Sequence, residues 1–179
     1  MKITFKRLPH NTLPLPAYAT EGSAAFDLCA CLERPCVKPK QDPNSLTVSF
    51  YNNDGRRWFT EERPANTNPP ALFISSGETI LVPTGFSSSF KDSVLKLYIR
   101  SSMSIKGLVL ANSVGIIDSD YRGEILLAIK NTSARNIMIE HGQRLAQGIL
   151  EKLERCVLEE GTVDVTERGA GGFGSTGSK

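Results

Sequence analysis

The sequence predicts an all-β domain of the sandwich, jelly-roll or barrel kind, and three observations carry that expectation. Apolar residues recur at every second position in several short runs, turn formers interrupt those runs at short intervals, and only two stretches carry a helical signature. Phe26, Leu28, Ala30 and Leu32 alternate with Asp27, Cys29 and Cys31, the pattern of a strand with one buried face. Leu95, Leu97 and Ile99 alternate with Val94, Lys96 and Tyr98, and Ile125, Leu127 and Ile129 repeat the rule, as do Ile137 and Ile139. Pro83-Thr84-Gly85, Ser113-Val114-Gly115, Arg122-Gly123 and His141-Gly142 punctuate these runs as turns.

The two helical stretches differ in kind. Arg100–Lys106 reads as a short helix with a serine placed to cap it. Ala146, Ile149, Leu150, Leu153 and Val157 recur at helical spacing, so propensity and period alone predict a helix over Gln143–Glu159.

At 179 residues, 40% hydrophobic and 22% charged, the chain fits one soluble domain with a sizeable core. Residues 37–72 differ in composition, holding Pro39, Pro43, Pro64, Pro69, Pro70 and the single Trp58. Asp54-Gly55 sits there between β-rich arms, so the stretch reads as an inserted β-hairpin excursion; one hairpin cannot bury a core of its own. A net charge of +2 without a basic cluster argues against direct nucleic-acid binding. The N-terminus has no signal-like apolar region, and no run approaches the roughly 20 apolar residues of a membrane span. Cys29 and Cys31 form C-x-C, which lacks zinc-site spacing; with Cys36 and Cys156 they are expected as free thiols in a reducing, cytoplasmic compartment.

The tail, residues 166–179, is a glycine-rich arm and by composition a flexible end. It is not a P-loop: Gly177 is followed by Ser178-Lys179, in the wrong order, and no helix follows. Phe173 among the glycines instead suggests a segment that folds over a flat ligand, offering Arg168, Ser175, Thr176 and backbone N–H groups to phosphates.

Five segments, in order, resemble the five motifs of the trimeric dUTP pyrophosphatase family. They are Ser23-Ala24-Ala25-Phe26-Asp27-Leu28, Arg100–Gly107, Asn112–Gly123 (Asn-Ser-Val-Gly-Ile-Ile-Asp-Ser-Asp-Tyr-Arg-Gly), Gly142–Gln147 and the Arg168–Gly177 tail. The resemblance spans the chain except the excursion and implies a distorted jelly-roll-like β-barrel with one short helix. In that fold the fourth motif leads into a strand, which overrules the helical spacing at Gln143–Glu159.

The resemblance also implies a reaction, the Mg2+-dependent hydrolysis of dUTP to dUMP and pyrophosphate, which limits uracil in DNA and supplies dUMP for dTMP synthesis. Asp118 matches the catalytic carboxylate that positions and deprotonates the attacking water. Tyr121 matches the ring that packs under deoxyribose and leaves no room for a 2′-hydroxyl. Asn112 resembles the amide that reads uracil, with backbone groups around Gly115 and Ile117. Arg100, Ser101, Ser102 and Gln147 resemble phosphate contacts, with Lys106 a further neighbour and Arg144 structural. Asp27 resembles the acid that holds Mg2+ through water, the triphosphate supplying the direct oxygens. Phe173 and Gly174 would cover the base while Arg168, Ser175 and Thr176 close on the phosphates. The family's sites are shared between the subunits of a homotrimer.

Two other readings use the same residues. A dCTP deaminase shares the fold, but Ala128 stands where that enzyme needs a carboxylate, and Tyr121 where it tends to carry Trp. A regulatory protein could keep the nucleotide pocket as a switch, with Phe50, Tyr51 and Trp58 of the excursion facing a protein partner; the plainer reading packs them on the barrel.

Overall fold

In the computed structural model, the described residues are 1–33, 71–172 and 175. The expected hairpin around Asp54-Gly55, Cys36, Phe173, Gly174 and Thr176 lie outside them. The chain forms β1 (Thr4–Arg7), β2 (Phe26–Cys29), β3 (Ala71–Ile74), β4 (Thr79–Pro83), β5 (Phe86–Ser89) and β6 (Ser93–Ile99). One helix, α1 (Ser101–Ile105), follows, then β7 (Leu108–Leu110), β8 (Gly115–Ile117), β9 (Leu126–Asn131), β10 (Ile137–Glu140) and β11 (Arg144–Lys152). Ala71 and Leu72, at the end of the expected excursion, already pair with Glu140 and Ile139.

All the ladders are antiparallel: β2-β11-β6-β8 and β4-β9-β7, with the pairs β1-β5 and β3-β10. Together they wrap a single apolar core as a distorted jelly-roll-like barrel. The alternating runs point where their period requires. Phe26, Leu28, Leu95, Leu97, Leu127, Ile129 and Ile139 are buried, each contributing about 1.5–3 kcal/mol. Among the described residues, Cys29, Cys31 and Cys156 form no disulfide.

Gln143–Glu159 is not helical. Arg144–Lys152 is the strand β11, hydrogen-bonded to β2 on one side and to β6 on the other. Leu153 and Val157, which completed the helical stripe, are exposed, so the spacing marks no buried face. Two ladders of long-range hydrogen bonds outweigh a local preference worth tenths of a kcal/mol per residue. Gly148 permits the close packing: a Cβ there would lie 2.6 Å from the Phe26 ring.

The short helix forms as expected, but no serine caps it. Arg100 is the N-cap, in extended conformation and without a side-chain cap bond, because a guanidinium carries only donors and cannot accept from the N–H groups of a helix start.

Asn131, fully buried at the end of β9, ties three segments together. Its Nδ2 donates to the carbonyls of Ile74 (2.9 Å) and Arg135 (2.7 Å), and its Oδ1 accepts from the N–H (2.9 Å) and hydroxyl (2.8 Å) of Ser133. Its own N–H donates to the Glu78 carbonyl and its carbonyl accepts from Gly77. Asn131→Ala keeps the main-chain bonds but takes the side-chain partner from the buried Ile74 carbonyl and from the part-buried Ser133 N–H and Arg135 carbonyl, and is expected to cost about 2–4 kcal/mol. Denaturant unfolding at fixed protein concentration checks this, through a lowered midpoint with unchanged slope.

Candidate active site

On the barrel, the predicted site residues fall into two clusters. The first is built on the outer face of the β2-β11-β6 sheet. Phe26 and Leu28 point inward, so Asp27 between them points out, opposite Gln147 on β11, which in turn faces Tyr98 on β6. Arg144 reaches the same face through an irregularity in the ladder. The register shifts between Arg144 and Ala146, so Leu145 and Ala146 are both buried and Arg144 turns outward. Regular alternation would have set Arg144 inward with Ala146.

Asp27 is thereby gripped from two sides. Arg100 Nε donates to Oδ1 at 2.9 Å and an Arg144 guanidinium nitrogen donates to Oδ2 at 3.0 Å. The Arg100 N–H also donates to the Leu145 carbonyl at 3.0 Å, fastening the start of α1 to β11. These are charge-assisted bonds to a largely buried carboxylate, although Arg144 is half-exposed and its share is weakened by solvent. Beside them, burial pushes the Cys29 thiol pKa up and the Asp27 charge adds to that, while Arg144 and Arg100 pull it down. Ser101 and Ser102 are exposed at the start of α1. A cleft walled by Pro14, Leu15, Pro16 and Tyr18 opens on Asp27, Cys29 and Arg144.

The second cluster surrounds β8. Asn112 is exposed in a tight turn where Ser113 takes a φ of 60° and Val114 N–H donates to the Asn112 carbonyl at 2.6 Å. Gly115 and Ile117 pair with Leu97 and Leu95. Asp118 follows, exposed, its carbonyl accepting from Tyr121 N–H at 3.2 Å. Arg122 braces this turn by donating to the carbonyls of Ser119 (2.7 Å) and Tyr121 (2.9 Å). The Tyr121 hydroxyl donates to the Glu124 carbonyl at 3.0 Å, and partial burial pushes its pKa up.

One copy of the chain does not bring the clusters together. Because Ile117 faces Leu95, Asp118 leaves the sheet level with Val94, six residues along β6 from Arg100. At about 3.3 Å per residue that is roughly 20 Å. The described tail makes a third group. Val157, Leu158, Val163 and Val165 are 88–99% exposed, Arg168 Nε donates to the Gly171 carbonyl at 2.9 Å, and Ser175 N–H donates to the Gly172 carbonyl. Lys106 is exposed and caps the end of α1 through its N–H.

The described residues hold no cluster of three or more His, Cys, Asp or Glu able to hold a metal. Asp27 is the acid of the first cluster, and its oxygens already accept from two arginines. That donor set fits a cation brought in on phosphate oxygens and reached through water.

The resemblance made Arg144 structural without naming its partner, Asp27, and Arg122 and Gly123 read only as turn residues. Arg144's role depends on the shifted register, which has no local signal. The alternation within β2 did put Asp27 on the face opposite the core.

A family model described as dUTPase matches residues 68–177. The chain is 35% identical to the deoxyuridine 5'-triphosphate nucleotidohydrolase of Rickettsia felis, over 98% of this chain and 97% of that protein. It is 36% identical to the protein of the same name from Hahella chejuensis, over 100% and 96%. A crystal structure of a dUTPase from Streptococcus mutans superposes with a TM-score of 0.59 at 28% identity, covering 88% of this chain and 98% of that one. The dUTPase of Staphylococcus bacteriophage 80alpha, as a point mutant with dUpNHpp, shares the fold at a TM-score of 0.67 and 20% identity, covering 98% of both chains.

The electrostatics of the first cluster can be read from Cys29. Removing the neighbouring negative charge by Asp27→Asn lowers the thiol pKa and is expected to speed alkylation at pH 8 roughly twofold to fivefold. Mass spectrometry, with Cys156 as internal reference, measures it; an unchanged or slower rate contradicts the arrangement.

Proposed function

The chain belongs to the dUTPase family, and from that membership we propose that it hydrolyses dUTP to dUMP and pyrophosphate in a homotrimer whose active sites are shared between copies. The observation that carries the shared site is the separation of roughly 20 Å between Asp118 and Arg100 within one chain. The Arg100 guanidinium is moreover turned across β11 onto Asp27 of β2, away from β8, so a triphosphate held there lies on the far side of the sheet from the Asp118 of the same copy. A second copy can supply the missing cluster, and the exposed arm that begins after β11 is free to reach another site.

In the proposed reaction, Asp118 orients a water and takes its proton as the oxygen attacks the α-phosphorus. The bond from that phosphorus to the bridging oxygen breaks, and pyrophosphate leaves with the electron pair. Asp118 suits this task because it is exposed at the mouth of a braced turn. Arg100, Ser101, Ser102 and Gln147 bind the phosphates, Arg144 holding Asp27 and so the edge on which Arg100 stands. Asn112 and the backbone of Gly115–Ile117 read the uracil edge, and Tyr121 packs under the sugar. Arg168, Phe173, Gly174, Ser175 and Thr176 of the arm close the site and exclude bulk water. Mg2+, when bound, neutralises triphosphate charge, with Asp27 reaching it through water.

Asp118→Asn and Arg100→Ala are each expected to lower pyrophosphate release from dUTP by at least about a hundredfold. Denatured together and refolded, the two inactive chains should regain activity, because about one site in four then draws an intact Asp118 and an intact Arg100 from different copies. If the mixture stays as inactive as its parts, the site is not shared between these two clusters.

A further inference from the structure

We propose that Gly123 sets the sugar specificity of the site, by leaving open the space in which the Tyr121 ring lies. The inference rests on the reading of Tyr121 as the residue that packs under deoxyribose. A Cβ at Gly123 would lie 2.3 Å from the Tyr121 hydroxyl oxygen, 2.5 Å from Cζ and 2.9 Å from Cε2. All three atoms are at the far end of the ring, so the ring end must move by about 1 Å or more to restore ordinary contact.

The backbone around the ring is held, so it cannot absorb that displacement. Arg122 ties the carbonyls of Ser119 and Tyr121 on one side of Gly123. On the other side, Glu124 accepts from the Gly85 N–H at 2.7 Å and faces His10 Nε2 at 3.6 Å. Between these anchors the ring hydroxyl donates to the Glu124 carbonyl. Tyr121 is 42% exposed, with room to swing outward. A methyl group at Gly123 therefore displaces the ring and breaks that hydrogen bond while the turn keeps its course. Since selection against a 2′-hydroxyl depends on where the ring surface stands, a shift of an ångström is enough to weaken it.

The test compares kcat/KM for dUTP and UTP in the full chain, in Gly123→Ala, in Tyr121→Ala and in the double variant. Gly123→Ala should raise KM for dUTP about tenfold, leave kcat within about threefold, and lower the preference for dUTP over UTP about tenfold. In the Tyr121→Ala background the same substitution should change kcat/KM less than about twofold, because there is no ring left to displace. An equal loss in both backgrounds would mean that Gly123 serves only the turn, and overturns the proposal. If Tyr121→Ala lowers the preference and Gly123→Ala does not, the role of Gly123 alone fails. If Tyr121→Ala leaves the preference at the wild-type value, the assignment of Tyr121 fails and takes this inference with it. Should Gly123→Ala not fold, recovery of the fold in the double variant supports the clash, and failure of both refutes it.

Discussion

The placement of β11 between β2 and β6 is the constraint on which the rest of the site depends. A strand paired on both edges fixes the register of two neighbours at once, and here it sets Gln147 between Asp27 and Tyr98. The register shift after Arg144 sends Leu145 into the core and Arg144 to the outer face. A one-residue slip would exchange those faces, burying a guanidinium and exposing a leucine, so core burial enforces the geometry of the polar cluster. Asp27 then joins three elements that are distant in sequence, because Arg100 comes from the β6–α1 junction and Arg144 from β11.

The same sheet explains why the functional groups separate. β6 carries Arg100 at one end, and β8 runs antiparallel to it, so Asp118 emerges toward the other end. The straightness of a strand prevents a single copy from closing that distance. In the proposed trimer a second copy would supply the missing cluster, and the exposed valines and leucine of the arm are apolar area that such a copy can cover.

The turn after β8 is made stiff without regular structure. Arg122 returns to two carbonyls of its own turn, Tyr121 bonds the carbonyl of Glu124, and the Glu124 side chain fastens the turn to Gly85 on the opposite strand connection. With the main chain held at both ends, side-chain space around Gly123 becomes the adjustable quantity.

Much of the fold could be read from local pattern. Alternation placed Phe26, Leu28, Leu95, Leu97, Leu127 and Ile129 in the core and Asp27 outside it, since a strand's two-residue period is a property of a few adjacent positions. The motif residues Asn112, Asp118 and Tyr121 were recognisable in order, and the structure places them around one strand and its turns. Local pattern failed at Gln143–Glu159, where a helical spacing yielded to two long-range ladders, and at the start of α1, where Arg100 rather than a serine is the cap. Arg144 against Asp27, the ring of Tyr121 over Gly123 and the distance between the clusters had no signature in the sequence. Each is a relation between segments tens of residues apart or between a ring and the space beneath it. By itself the sequence determined which residues face the core and which chemical groups the chain carries. Only the tertiary structure decided which of those groups meet, because register and packing are settled by the whole sheet at once.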